Sequence, residues 1–231
     1  MYDRWKDRKE SGHRDGPGRQ ALFKGPRGLA LDREGHVLVA DPGNCALRRI
    51  DPSGMVSTVH KGCNPEPVSQ IDRPKQIIYD HVVLDPLGRP VVGGSLSVPS
   101  VDIYSNVHRL HPDGRVEQLL SARKGYANSG QLRVEYLTGL AYLPDGTLLI
   151  ADGFNNLLRT LSGGRLTDWL GVPGDRGERD INGPARGASL RRPGGLCVTG
   201  AGAVFVAPAA PRSAPLRKVD GQSRAVSTWA Y

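Results

Sequence analysis

Residues 25–59 read GPRGLALDREGHVLVADPGNCALRRIDPSGMVSTV, and the reading of this stretch decides the fold. It holds four short apolar runs, at residues 28–32, 36–40, 45–50 and 55–59. Between them stand Arg33-Glu34-Gly35, Asp41-Pro42-Gly43-Asn44 and Asp51-Pro52-Ser53-Gly54. Gly, Pro, Asn and Asp supply positive φ angles or fixed turn geometry, so these spacers are tight turns. Four short strands joined by turns make an antiparallel meander, and no segment has the length or period of a helix.

The pattern returns three times. Gly28 maps to Gly139 at an offset of 111 residues, and the same offset carries Asp41 to Asp152, Asn44 to Asn155, Leu47 to Leu158 and Arg48 to Arg159. A further copy starts at Gly195, where the preceding loop matches as well: Gly16-Pro17 meets Gly183-Pro184 and Ala21 meets Ala188. Its third strand places Leu216-Arg217 opposite Leu47-Arg48. The weakest copy puts His81 in the place of Gly28 at an offset of 53, and Arg109 to Gly114 follow at an offset of 60. Its extra residues fall at 95–105. The four repeats occupy residues 13–60, 71–120, 126–170 and 180–231 of a single domain spanning 1–231. Repeats of this size, each one four-stranded unit, predict an all-β chain of β-propeller blades. A blade has two apolar faces and must stack on neighbours, which explains the nearly continuous apolar runs at residues 36–40 and 147–151.

Residues 26–54 carry P-x-G-L-A-x-D-x-x-G-x-x-x-V-A-D-x-x-N-x-x-L-R-x-I-D-x-x-G. This resembles the NHL-repeat family, and the upstream element at Asp15-Gly16-Pro17-Gly18, Ala21 and Phe23 resembles its long-repeat branch. The resemblance implies a propeller, usually of six blades. Four repeats leave open a small closed propeller, an open arc, part of an oligomeric ring, or a fragment of a longer protein.

Composition narrows the classes. The chain of 231 residues has 30 Gly and 18 Pro, which suits many strands and turns. Three Cys without a CxxC pair argue against a disulfide framework and a zinc site, with a Cys45–Cys63 bridge as the lesser alternative. Cys197 falls in a first-strand run and is assigned to the core. The charged N-terminus has no apolar leader run and no segment reaches membrane-spanning length, so the expectation is a soluble, cytoplasmic protein without membrane contact.

The net charge is +8. Its excess gathers in the loops that precede the blades: eight Lys/Arg against four Asp/Glu in residues 1–27, then Arg73 and Lys75, Arg123 and Lys124, and Arg186, Arg191 and Arg192. In a propeller these loops share one rim with the loops between second and third strands. Arg27, Lys75, Arg191 and Arg192 are therefore candidates to meet an acidic partner, and the family resemblance permits RNA. Of the aromatics needed to stack bases, only Trp5, Phe23 and Tyr126 fall in these loops.

Candidates for chemistry are few. Asp41, Asn44, Asp152 and Asn155 close second strands; as turn residues they accept backbone N–H groups, and as a weak alternative they would ring the channel and bind calcium. The second repeat has Gly94 and the fourth Pro208 at the aspartate position. His108 and His111 lie three apart on a strand, face opposite ways and do not converge on a metal. His13, His36, His60 and His81 occupy different repeat positions. No cofactor motif and no nucleophile elbow is present. The stretch at 95–105 is longer than a tight turn, and Leu96, Val98, Ile103 and Tyr104 make it a candidate docking loop. The sequence thus predicts a non-enzymatic binding or scaffold module presenting a loop-rich basic face to a protein partner. RNA binding by that face is one alternative; a metal-dependent propeller hydrolase of lactonase type, or a lyase, is another.

Overall fold

The computed structural model describes residues 11–62, 77–98, 101–126, 133–175, 180–185, 187–209 and 215–230. Among them there is no α-helix, and the chain forms four separate antiparallel sheets. The first contains β1 (Gly16–Pro17), β2 (Leu29–Leu31), β3 (Val37–Asp41), β4 (Ala46–Ile50) and β5 (Met55–Lys61), in the order β1-β5-β4-β3-β2. The second is β6 (His81–Leu84), β7 (Pro90–Val98), β8 (Val101–Leu110) and β9 (Val116–Arg123). The third is β10 (Leu137–Tyr142), β11 (Leu148–Asp152), β12 (Leu157–Ser162) and β13 (Arg165–Leu170). The fourth is β14 (Pro193–Val198), β15 (Val204–Pro208), β16 (Leu216–Val219) and β17 (Val226–Ala230). Strands β2–β5 and each of the other three sheets are meanders in sequence order, which is the blade of a propeller, and β1 adds to the outer edge of the first beside β5.

Aspartates fix the turns. Asp32 accepts the N–H groups of Glu34 and His36, Asp51 those of Ser53 and Met55, and Asp85 those of Leu87 and Arg89. The carboxylate thus replaces the backbone acceptor that a two-residue turn cannot supply.

Blades stack through three apolar layers. Leu38, Ala40 and Leu47 of blade 1 pack on Val82 and Val92 of blade 2. Val91, Val107 and Leu120 of blade 2 meet Leu140, Leu148 and Ile150 of blade 3. Leu149, Ala151 and Leu158 of blade 3 meet Val204, Val206 and Val219 of blade 4. The inner strands follow the same order, with β2 on β6, β6 on β10 and β10 on β14. Among the described residues nothing joins blade 4 to blade 1 to a like extent, so the four blades form an open arc.

The third strands carry a feature beyond apolar packing. Arg48, Arg159 and Arg217, at equivalent repeat positions, are buried. Arg48 donates to the carbonyls of Leu22 and Arg14 and pairs with Asp15 at 2.6 Å. Arg159 donates to the Arg133 carbonyl at 2.6 Å and pairs with Asp168 at 2.8 Å. Arg217 pairs with Asp180 at 2.8 Å and donates to the Ile181 carbonyl and the Asn182 side chain. Each guanidinium therefore ties the loop preceding its blade to the blade itself. Phe23 and Tyr126, the loop aromatics, lie against Arg48 and Arg159 at 4.8 and 5.4 Å. In blade 2 the same place is taken by His108, which is buried and whose Nδ1 has no hydrogen-bond partner among the described residues.

Three expectations are corrected. Residues 95–98 and 101–105 extend the β7–β8 ladder, with Leu96 opposite Tyr104 and Val98 opposite Val101, so this is a lengthened hairpin rather than a projecting loop. Tyr104 is buried and Leu96 half-buried; the side chains of Val98 and Ile103 lie outside the described residues. Cys197 is exposed and free, because among the described residues nothing packs on its face of blade 4. Cys45, left-handed at φ 52° after the one-turn segment Pro42–Asn44, is disulfide-bonded; Cys63 lies outside the described residues. A disulfide fits an oxidising compartment better than the expected cytoplasm. No helix among the described residues is long and apolar enough to cross a membrane.

Candidate active site at the inner rim

The inner strands all begin at one rim of the arc, and the residue before each inner-strand glycine position is Arg27, Asp80, Thr138 or Gly194. The side chains of Arg27, Asp80 and Thr138 bridge neighbouring blades. Arg27 Nη1 donates to Asp80 Oδ1 at 2.8 Å, and Thr138 Oγ1 donates to the Pro193 carbonyl at 2.6 Å. The Arg27 side chain is 62% exposed while Asp80 is largely buried. A solvent-facing guanidinium is thus held by a carboxylate beneath it.

Blade 2 departs from its sisters at two positions on neighbouring strands. His81 stands where the other blades have Gly28, Gly139 and Gly195. Gly94 stands where blades 1 and 3 have Asp41 and Asp152. His81 and Gly93 are ladder partners, so Gly94 lies one residue along from the partner of His81, next to Asp80. A Cβ on Gly94 would come within 2.6 Å of Asp80 Oδ2. The missing side chain leaves the room that the Asp80 carboxylate fills. Glycine is required here by that close approach.

Burial holds the His81 imidazole below its usual range; the Asp80 charge and a hydrogen bond to the Leu137 backbone pull upward, and the Arg27 charge adds to the downward shift. The group is therefore a neutral base at neutral pH, within the electrostatic reach of one cation and one anion. Nearby, His60 Nδ1 lies 2.6 Å from the Tyr79 hydroxyl, whose titration burial pushes up. On the far half of the rim Tyr136 meets Phe154 edge-on at 5.5 Å, and the Arg192 guanidinium lies 4.9 Å over the Phe154 ring. Phe154 is exposed and offers an apolar wall.

The aspartate–asparagine pairs do not join this site. Asp41 accepts the Lys24 N–H at 2.8 Å, the Asn44 amide at 2.7 Å and Arg48 at 3.3 Å. Asp152 accepts the Glu135 N–H at 2.9 Å, the Asn155 amide at 2.8 Å and Arg159 at 3.5 Å. The two amides also bind the carbonyls of Gly12 and Gly125. Both carboxylates are fully buried with their oxygens engaged, so these residues do not fit a divalent cation, which needs free oxygens converging on one point. Asp32, Glu34 and His36 come within 4.8 Å of one another. They lie in the turn between β2 and β3, where Asp32 already holds His36 at 2.8 Å.

Of the basic candidates, Arg27 is in the site and Arg192 is over Phe154. The Arg191 N–H binds Asp180 at 3.1 Å, and Lys75 lies outside the described residues. Sequence reasoning missed Asp80 and His81 as a pair. The signal was there: the weakest repeat differs from the others where its differences are complementary.

No family model matches the chain, and no curated protein matches it. Solved structures do. A protein assigned as a gluconolactonase superposes with a TM-score of 0.58 at 16% identity, over 89% of this chain and 63% of its own. The virginiamycin B lyase of Staphylococcus aureus superposes with a TM-score of 0.51 at 12% identity, over 90% of this chain and 70% of its own. A streptogramin B lyase gives 0.51 at 14%, over 90% and 69%. The chain therefore spans about two thirds of the length of the propellers it resembles. The β-propeller fold is common to them. The expectation of a non-enzymatic scaffold is corrected by these comparisons: the three propellers superposed above are named as a lactonase and two lyases.

Proposed function

We propose that this chain, built of NHL-type repeats, belongs to a propeller enzyme that opens small cyclic esters, with Arg27, Asp80 and His81 at its site. One observation carries the reading: an exposed guanidinium anchored by a buried carboxylate stands beside an imidazole that burial keeps neutral. Neutral imidazole is the side chain best matched to general-base work at neutral pH. In a lactone hydrolysis His81 takes a proton from water as its oxygen attacks the carbonyl carbon. The Arg27 guanidinium stabilises the oxyanion that forms. The ring C–O bond then breaks, and the imidazolium returns the proton to the departing alkoxide, leaving a hydroxy acid. Asp80 holds Arg27 in place and does not touch the substrate. The Phe154 wall across the rim would face the apolar side of a ring. The likeness to a gluconolactonase supports the substrate class, as does the lyase likeness a non-hydrolytic variant of the same site.

The test is proton release on opening gluconolactone, followed in a pH-stat with the purified chain. Turnover above the buffer rate is expected, with His81→Gln lowering kcat/KM by roughly 10²- to 10⁴-fold. Absence of turnover across a panel of five- and six-membered lactones, or an unchanged rate in His81→Gln, would refute the assignment.

A further inference from the structure

Each interior contact of the arc joins two kinds of sheet face, and each kind is left uncovered once, at the ends. Leu140, on the face of blade 3 that meets blade 2, is 4% exposed; its repeat counterpart on blade 1, Leu29, is 65% exposed, and Leu31 beside it is 68% exposed. Val37 and Ile50 extend this patch and are half-buried, whereas their counterparts Leu148 and Leu161 are buried. At the other end Leu149, Ala151 and Leu158 of blade 3 are covered by blade 4. Their counterparts Phe205, Ala207 and Leu216 are only half-buried. Trp229, which meets Phe205 edge-on at 5.0 Å, is 59% exposed, and Cys197 is exposed beside it.

The inner strands add a second observation. A Cβ on Gly28 would come within 2.8 Å of the His81 backbone, and one on Gly139 within 2.1 Å of the Gly194 carbonyl. These glycines admit the next blade's inner strand. Gly195 holds the same position in blade 4, yet a Cβ there would meet only Ala207 of its own sheet, at 3.7 Å. The last blade keeps the feature for a close approach that nothing among the described residues makes.

We infer that the two end faces bind each other between copies of this chain, blade 4 of one against blade 1 of the next. The occupant follows from the molecule. A face of the blade-1 kind is covered three times within the chain by a face of the blade-4 kind, and every copy carries one open face of each kind. Exposed apolar side chains in contiguous patches of this sort mark association sites. The contact is heterologous, so it propagates head to tail rather than pairing like with like.

Sedimentation velocity of the whole chain from roughly 1 to 100 µM tests this, since contacts of moderate size dissociate in that range. The wild type is expected to shift from monomer to larger species with concentration. Leu29→Asp/Leu31→Asp removes one face and Cys197→Asp/Trp229→Asp the other; each variant alone stays monomeric. Mixed in equal amounts they form a dimer of one of each and nothing larger, because one complementary pair of faces survives. Leu29→Ser/Leu31→Ser and Trp229→Ser repeat the design with milder changes, and circular dichroism checks that each retains its β signature. A monomeric wild type throughout, association of either variant alone, or a mixture that stays monomeric would each overturn the inference.

Discussion

Arg159 is a cation with no access to water, and its anchors include a carbonyl and two carboxylates. Removing it leaves Asp152 buried without its countercharge, so Arg159→Ala should cost about 3–5 kcal/mol in urea unfolding. A loss under about 1 kcal/mol would mean that the loop is held by other contacts. The recurring Leu-Arg pair is plain in the sequence, but its inward direction is not. An arginine on a strand is usually solvated, and it is carbonyls 26 and 34 residues away, together with the Asp15 and Asp41 carboxylates, that make burial of Arg48 tolerable. His108, in the same place in blade 2, answers to pH instead. Burial pushes it from the ordinary 6.5 to about 4, so the unfolded chain takes up the proton first as pH falls. Its contribution is intact above 6.5 and is lost as pH drops toward 4, a swing of roughly 3 kcal/mol. Asp152, pushed up by burial to about 6, acts in the opposite sense over this window, its contribution being lost as pH rises through 6. The wild-type curve therefore mixes the two, and the difference between wild type and His108→Gln isolates the histidine. That difference should shrink steadily between pH 6.5 and 4; a flat difference would contradict the neutral, buried imidazole.

At the level of elements, the four-stranded meander was legible because turn chemistry and apolar runs agree in every repeat. What the spacing of glycines did not reveal is what they are for. Gly28 and Gly139 mark where one blade's inner strand touches the next, a contact between residues 53 and 55 apart in sequence. A methyl group on Gly139 would collide with the Gly194 carbonyl at 2.1 Å, with backbone on both sides and no side chain to move. Gly139→Ala is accordingly expected to lower stability by about 2–4 kcal/mol or to abolish folding, and Gly195→Ala, which meets only Ala207, to be near neutral. Equal effects at the two positions, read as denaturation midpoints, would contradict the stacking described here. The hairpin of β7 and β8 was misjudged as a loop for a related reason. Ser95 and Ser105 bond each other at 2.6 Å across the ladder, and Ser95 also accepts the Leu137 N–H at 2.8 Å. Small polar residues that suggest a loop are here satisfied by a neighbouring blade.

For the whole molecule, repeat count and order were readable, whereas closure was not, because it depends on the angle between stacked sheets and no residue pattern encodes that locally. The active rim was half readable. His81 and Gly94 each stood out against the repeat, but their relation emerges only when the ladder sets Gly94 one residue along from the partner of His81 and Asp80 fills the space. The central claim is that this rim performs base catalysis. The most direct measurement is the pH dependence of kcat/KM for lactone opening by the wild type and by His81→Gln. Burial lowers the imidazole's affinity for protons, so the active, unprotonated form persists below the usual histidine range, and the acid limb of the wild-type profile should lie below pH 6.5. That limb should vanish, together with most of the rate, in His81→Gln. A profile of the same shape and height in both proteins would contradict the claim.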